Sequence, residues 1–358
     1  MLIQCTKKLL DKLKRKPETE SEETNPVFSW HANLLTQNRR NTVVLVNDSN
    51  RYVIVLHGLK AKDFQKIDQL IVQAIRETFQ AEGIREELIE QYIQDAGEIR
   101  FTKTKDRTSV ARMNSSCEPV YYHDELFDET SIVQTAMSKR ASRNLVGAGK
   151  KNSYIEGYEE LYKDLETLYG APIFNMKAAE LKVSLLLDNH EVWRKLIVPV
   201  NVTFSELHDV IQAAFDWKDS HLHEFLIYHS DDQPPLSLVV NERFIANSVG
   251  EAELEEEERL ADHLNAKIEY IYDFGDSWEH EIEVGNIKED YDKNYPVCLE
   301  GKGNTPPEDV GGEPGYDSFL EIIADETHPD YQHTYHWGKL QGYKEFELEK
   351  VNRRLKHL

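Results

Sequence analysis

IEYIYDFGDSWEHEIE, residues 268–283, decides how the C-terminal half of this chain folds. Ile268, Tyr270 and Tyr272 occupy one set of alternating positions. Trp278, His280 and Ile282 alternate in the same way with Glu279, Glu281 and Glu283. A period of two predicts a pair of strands, each with one buried and one wet face. Asp273-Phe274-Gly275-Asp276 between them supplies turn chemistry: aspartate oxygens accept from nearby backbone N–H groups, and Gly275 is expected to take a positive φ. Further on comes TPPEDVGGEPGY, residues 305–316, an acidic Pro/Gly-rich loop that no generic core requires.

Upstream, Ala179–Leu187 and Val192–Val198 flank Asp188-Asn189-His190 and read as a first hairpin. Thr203 and Glu206 have the spacing of a capping box. Leu207, Val210, Ile211, Ala214 and Phe215 then give one buried helical face. Glu224–Tyr228 follows as a strand, so the opening order is hairpin, helix, strand, as in a β-grasp-like module. EAELEEEER, residues 251–259, reads as a solvated acidic helix or loop, and Tyr316–Ala324 and Glu345–Leu355 as closing helices.

The N-terminal half reads as strand Leu2–Thr6, helix Lys7–Lys14, polar loop Pro17–Pro26 and a hairpin of Asn41–Asn47 with Arg51–His57. Helices are expected at Asp63–Phe79, Arg85–Gln94, Thr108–Cys117 and Glu125–Met137, and a strand at Glu98–Thr104. Ser138–Ser153 has linker composition, and Tyr154–Tyr169 reads as a short helix. The fold class is therefore α+β in two domains: 1–150, a linker and helix at 151–174, and 175–358.

Charge supports the division. The net charge of -23 splits into 25 basic and 26 acidic residues over 1–170, and 17 and 39 over 171–358. So acidic a C-terminal half repels phosphate backbones. Basic runs lie at Lys7–Lys16, Arg39-Arg40 and Lys103–Arg112, so nucleic acid would meet the N-terminal half, if either. Cys5, Cys117 and Cys298 are far apart, with no CxxC pair, which points to a reduced cytoplasmic setting. MLIQCTKKLLDKLKRK does not open like a signal peptide, and no apolar run is long enough to span a bilayer, so no membrane partner is expected.

Three collinear blocks carry a resemblance: WRKLIVPVNVTFSELHDVIQAAFDWKDSHLHEF from Trp193, YIYDFGDSWEHEI from Tyr270, and YPVCLEGKGNTPPEDVGGEPGY from Tyr295. Over residues 175–355 the chain resembles the plasmid pRiA4b ORF-3-like family, whose members are carried on plasmids, insertion elements and chromosomes and have no settled activity. That resemblance implies a mobile-element setting. The family often has a second cysteine just after Pro-Glu-Asp, where this chain has Val310, so a disulfide or shared metal at Cys298 is in doubt. MLIQCTKKLLDKL and FTKTKDRTSVARMN resemble an uncharacterised bacterial domain over about residues 1–150, with no activity implied.

The chemistry-bearing residues gather around the turn and the loop. If residues 220–225 are extended, His221 and His223 share a face. With Asp273, Asp276, Trp278, His280, Glu308 and Asp309 they form the candidate binding groove. Of these, His221, His223, His280, Asp276 and Glu308 are the candidate ligands of a divalent metal. Alternatively the aspartates and glycines only shape turns. The sequence has no P-loop, GxGxxG, GxSxG or HExxH. No catalytic residue or obligate cofactor is assigned. The preferred reading is a binding module for a protein or small ligand. A metal-dependent hydrolase at the His/carboxylate cluster and a nucleic-acid-binding accessory protein are the rivals.

Overall fold

The computed structural model describes all residues except 19–24, 106, 148–152, 231 and 246–249. The chain is α+β and divides into two compact units, Met1–Asn175 and Met176–Leu358.

In the first unit, β1 (Leu2–Cys5), β2 (Ser29–Gln37), β3 (Arg40–Asn47), β4 (Val53–Leu59) and β5 (Arg100–Lys103) form one sheet in the order β4-β3-β2-β1-β5. β1 is parallel to both β2 and β5, and β2-β3-β4 is an antiparallel meander. The face bearing Ile3 and Trp30 meets α1 (Lys7–Leu13), α2 (Ile67–Ala81) and α3 (Glu86–Ala96). There Trp30 Nε1 donates to Tyr92 of α3, and Arg15, just past α1, lies over the Phe101 ring. Against the opposite face, α4 (Arg107–Ser116), α5 (Pro119–Tyr122) and α6 (Thr135–Ser142) pack Met113, Val120 and Met137 on Val44, Val46 and Val55.

Two expectations fail here for one reason. Glu125–Met137 is not one helix: a 3-10 turn at Asp124–Leu126 gives way to extended chain before α6. That chain bonds to the sheet edge, with His57 N–H donating to Ile132 O at 2.8 Å and Gln134 N–H to Val55 O at 3.0 Å. Nor is Ser138 the start of a linker. The Ser138 and Ser142 hydroxyls accept from Val55 and Val53 N–H, both at 2.9 Å, and so satisfy the open edge of β4. The remainder of that stretch, 148–152, lies outside the described residues. β6 (Leu145–Gly147), β7 (Tyr154–Glu156) and α7 (Gly157–Tyr169) pack on this same unit. Gly157 is required there, because a Cβ would lie 2.8 Å from Arg51 O. Glu82 is buried among Arg143, Tyr52 and Tyr162, which donate to its carboxylate at 2.7–2.9 Å.

The second unit is one eight-stranded sheet. Its strands are β8 (Met176–Leu185), β9 (Val192–Pro199), β10 (His223–Tyr228), β11 (Leu236–Val239), β12 (Ala252–Leu254), β13 (Lys267–Tyr272), β14 (Trp278–Tyr291) and β15 (Val297–Lys302). The order is β12-β11-β10-β13-β14-β8-β9-β15. Hairpin, helix and strand follow one another as expected, with α8 (Phe204–Phe215) after β9; β10 then joins the sheet beside β13, away from the first hairpin. After α9 (Glu242–Ile245), the acidic stretch 251–259 is not simply solvated. β12 pairs with β11, and Glu255 is buried against His223. α10 (Gly312–Ala324), α11 (Tyr331–Gln341) and α12 (Leu348–Leu355) follow the loop; α11 was not expected.

The main core lies on one face, and a small apolar cluster of Ala178, Ile197 and Tyr291 lies on the other. Leu181, Val183, Leu196, Phe225, Ile268, Tyr270, Trp278 and Ile282 meet Leu207, Ile211 and Phe215 of α8. The other face carries Lys182–Glu283 and Lys195–Glu180 pairs. His280 sits on the apolar side and is fully buried. Its Nδ1–H donates to Tyr270 O and Trp278 O at 3.2 and 3.1 Å, and its ring meets the edges of Phe215 and Trp217. Burial holds this imidazole down to about 4, so it is neutral in the folded state at pH 7.

Two predictions follow from this packing. The Thr203 capping box is complete, Thr203 Oγ1 accepting from Glu206 N–H and the Glu206 carboxylate from Thr203 N–H. Thr203→Ala should cost about 0.5–2 kcal/mol in urea melts and Ser205→Ala less, since Ser205 lies within the first turn; equal losses would misplace the cap. His280 gives the second. Its folded value lies below its unfolded one of 6.5, so the unfolded chain takes up the proton first. The associated stability is whole above the unfolded value and is lost as pH falls from 6.5 towards 4, roughly 3 kcal/mol in all. His280→Met should flatten the pH dependence of unfolding over that range by about one proton. Parallel pH profiles for the two proteins would contradict it.

Candidate functional site

The Pro/Gly loop is held by a guanidinium. Arg194 points inward from β9, where Val192, Leu196 and Val198 are also inward, and it is buried. Nε donates to Ala214 O at 3.1 Å, Nη1 to Trp193 O and Lys302 O at 2.8 and 2.9 Å, and Nη2 to Gly303 O and Thr305 Oγ1 at 3.1 and 3.3 Å. Its plane lies over Phe215 and Phe346. Burial pulls the guanidinium down to about 10. Gly303 makes the approach possible: it sits at φ +76°, and a Cβ there would lie 2.3 Å from Glu191 O. Further along, Trp217 Nε1 donates to Pro306 O at 3.2 Å, and Gly311 N–H donates to Asp276 Oδ2 at 3.1 Å. The loop thus lies directly on the Asp-Phe-Gly-Asp turn.

The turn is built by Asp273, which sits at φ 56° and whose Oδ1 accepts from Gly275 N–H at 2.9 Å and Asp276 N–H at 3.3 Å. Positive φ falls on Asp273 and Ser277 and not on Gly275, correcting the expectation. Gly275 is instead close to Asp273 Oδ1, which a Cβ would approach to 3.2 Å.

Residues 217–222 run across the loop and the turn together. Lys218 N–H donates to Glu308 Oε1 at 2.9 Å, Ser220 N–H to the Tyr272 hydroxyl at 2.9 Å, and Asp273 N–H to Leu222 O at 3.0 Å. The Tyr272 hydroxyl passes its own proton towards Glu308 Oε1 at 3.1 Å. Burial, together with Glu308, raises this phenol above its ordinary value. His221 is thereby set over an acidic niche. Its Nε2 lies 3.2 Å from Asp309 Oδ1, 3.5 Å from Asp273 Oδ2 and 3.5 Å from Glu308 Oε2. That nitrogen is shielded from solvent and makes no hydrogen bond among the described residues. Ligand atoms of His221, Asp273 and Asp309 all lie within 4.8 Å of one another.

Not every candidate joins them. Residues 220–222 are not extended, so His221 and His223 do not share a face; β10 begins only at His223. His223 turns to Glu255 at 2.7 Å and stacks on His208, with ring centroids 3.5 Å apart and planes at 7°. Asp219 N–H donates to Gln212 Oε1 at 2.9 Å, which sets the amide so that Nε2 donates to the Tyr270 oxygen at 3.1 Å. The Tyr270 proton is then left for His208 Nδ1, 2.8 Å away, and His208 Nε2–H donates to Asp219 at 3.0 Å. Burial and His223 hold His208 down to about 4. This hydrogen-bonded pair is closed, and an ion shared by two parallel rings would lie out of both ring planes. Trp278 and His280 belong to the core and do not line the niche. Asp276 serves the loop through Gly311 N–H. Cys298 is buried, and burial pushes its thiol up to about 11, away from nucleophilic use.

Arg194, Tyr272 and Glu255 escaped the sequence reading. Arg194 had a signal: a cation at an inward position of an alternating apolar run. Glu255 had none, since it lies within four consecutive glutamates.

The description "Plasmid pRiA4b ORF-3-like protein" matches residues 177–354, and "Domain of unknown function (DUF6933)" matches residues 2–160. An uncharacterized protein, y4hQ, of Sinorhizobium fredii (strain NBRC 101917 / NGR234) is 34% identical over 170 residues, 47% of this chain and 85% of the relative. A crystal structure of a protein of unknown function, MM3350, from Methanosarcina mazei Go1 is 32% identical and covers 49% of this chain and 97% of that one, with a TM-score of 0.44. Among the described residues no helix is long and apolar enough to cross a membrane. The chain belongs to the plasmid pRiA4b ORF-3-like family through its C-terminal unit, and its N-terminal residues 2–160 are similar to a domain of unknown function, DUF6933.

Proposed function

We propose that the C-terminal unit is a binding module whose site is a divalent-cation niche formed by His221, Asp273 and Asp309, with Glu308 behind them. The spacing around His221 Nε2 carries this reading. A tetrahedral ion with ligands at about 2.0–2.2 Å spaces its ligand atoms roughly 3.3–3.6 Å apart. The three carboxylate oxygens stand at 3.2–3.5 Å from Nε2, a ligand-edge distance, and the nitrogen has no hydrogen bond to hold it there. One imidazole among carboxylates suits Zn²⁺ or Mn²⁺ better than the all-oxygen preference of Ca²⁺ or Mg²⁺.

Binding is favoured over hydrolysis by the state of Glu308. It is the buried carboxylate best placed to act as a base, yet it already accepts from Lys218 N–H and the Tyr272 hydroxyl. Its role in this reading is to set the field and hold the loop.

Calorimetric titration of the full chain with Zn²⁺, Mn²⁺ and Mg²⁺ tests the proposal. Asp309 sits at φ 57°, where Asn is tolerated, so Asp309→Asn removes charge without straining the backbone. It should weaken Zn²⁺ or Mn²⁺ binding about tenfold or more, as should His221→Ala. With the ion at a hundredfold excess over Kd, the wild type should gain about 2.7 kcal/mol of stability. Absence of binding at millimolar ion, or affinity unchanged in both variants, would refute the niche.

A further inference from the structure

A cleft opens in the second unit behind the Pro/Gly loop. Trp217, Pro306 and Pro307 line it from one side, and Tyr343 and Phe346, from the segment between α11 and α12, line it from the other. Both sides are fixed. Tyr343 N–H donates to Gly338 O at 2.8 Å and Phe346 N–H to Asn304 Oδ1 at 3.0 Å, while Trp217 is tied to Pro306 O. The cavity volume is about 40 Å³, room for about three waters or for one carboxylate group.

Charge is uneven along this cleft. Asp216 follows α8 at φ 65°, and its carboxylate pairs with Lys344 and, at 3.0 Å, with Arg354 Nη1. Arg354 Nε donates to Ala213 O at 2.8 Å, and its Nη2 meets no acceptor among the described residues. Arg194 adds a third cation to the lining, its own N–H groups spent on the loop. Burial pulls both guanidinium groups below their ordinary value, and the charge of Arg354 pulls Arg194 further. So three cations share Asp216. The remaining acids of the lining are engaged or wet: Glu347 pairs with Lys350 at 2.6 Å, Glu308 accepts from Lys218 N–H and the Tyr272 hydroxyl, and Glu345 is exposed. Over residues 171–358 acids outnumber bases 39 to 17, so this end of the cleft runs against its surroundings.

We infer that the cleft binds a small carboxylate carrying an apolar or aromatic body. The carboxylate meets Lys344 Nζ and Arg354 Nη2, a charge-assisted contact of the strong kind. The body lies on Trp217, Pro306 and Phe346, an apolar wall of the sort that holds small ligands beside a few placed polar groups. The cleft does not use the His221 niche; Glu308 borders both.

Calorimetric titration of the full chain with benzoate tests the inference, with benzamide and acetate alongside. Benzoate should bind. Benzamide has the same shape without the charge and should bind at least about tenfold more weakly, the usual scale for a lost charge-assisted contact. Acetate, without the ring, should also bind more weakly. Lys344→Gln should weaken benzoate by about the same factor, and so should Arg354→Gln. Arg354 also holds Ala213 O, so the exposed Lys344 decides the matter if the arginine variant fails to fold. Asp216→Asn removes the competing carboxylate at a φ that asparagine tolerates, and should tighten benzoate binding. Lys339→Gln, outside the cleft, and His221→Ala, in the niche, should bind benzoate as the wild type does. No binding of benzoate at millimolar concentration, equal affinity for benzamide, unchanged affinity in Lys344→Gln, or loss of binding in His221→Ala would overturn the inference.

Discussion

A buried guanidinium with no acid partner among the described residues sets the geometry of the C-terminal unit. Arg194 spends its donors on carbonyls and one hydroxyl, and so fixes the path of residues 302–305. A buried charge of this kind is costly unless its hydrogen bonds are made. Here they are made, and two aromatic faces enclose it. Gly301 and Gly303 are the counterpart, since a Cβ at Gly301 would meet Arg194 Cδ and Phe346 at 2.9 Å. From that anchor the chain reaches Pro306 under Trp217, then Glu308 under Lys218 and Tyr272, then Gly311 on Asp276. The acidic niche is the far end of this path. Its carboxylates approach one imidazole because the backbone that carries them is held at each step.

Much of the C-terminal unit was legible because its sheet is wet on one side. Residues 268–283 alternate cleanly, and the strands and their pairing, Ile268 with Ile282 and Tyr272 with Trp278, follow. The capping box at Thr203 is a local device and reads locally. In the first unit Ser29–Gln37 escaped notice although it lies second from β1's outer neighbour, in the middle of the sheet. It is covered on both faces, so it lacks alternation. Ser138 and Ser142 were misread for a related reason: serine composition resembles a linker, and only the sheet edge beneath reveals them as acceptors.

The site was half legible. That the loop and the turn meet could be argued from loop economy, and His221, Asp273, Glu308 and Asp309 do come together. Period two could not separate His221 from His223, because the break in extension is imposed by Tyr272, Gln212 and Glu308 holding residues 218–220. His280 and Trp278 lie on the inward face, as the alternation required, and that same fact removes them from a solvent-facing niche.

The cation niche is tested most directly by anomalous diffraction from crystals of the full chain grown with Zn²⁺ or Mn²⁺. The account predicts one peak within about 2.0–2.2 Å of His221 Nε2 and of carboxylate oxygens from Asp273 and Asp309. A peak at His208 and His223 instead, or none at His221 with the loop in the same place, would contradict it.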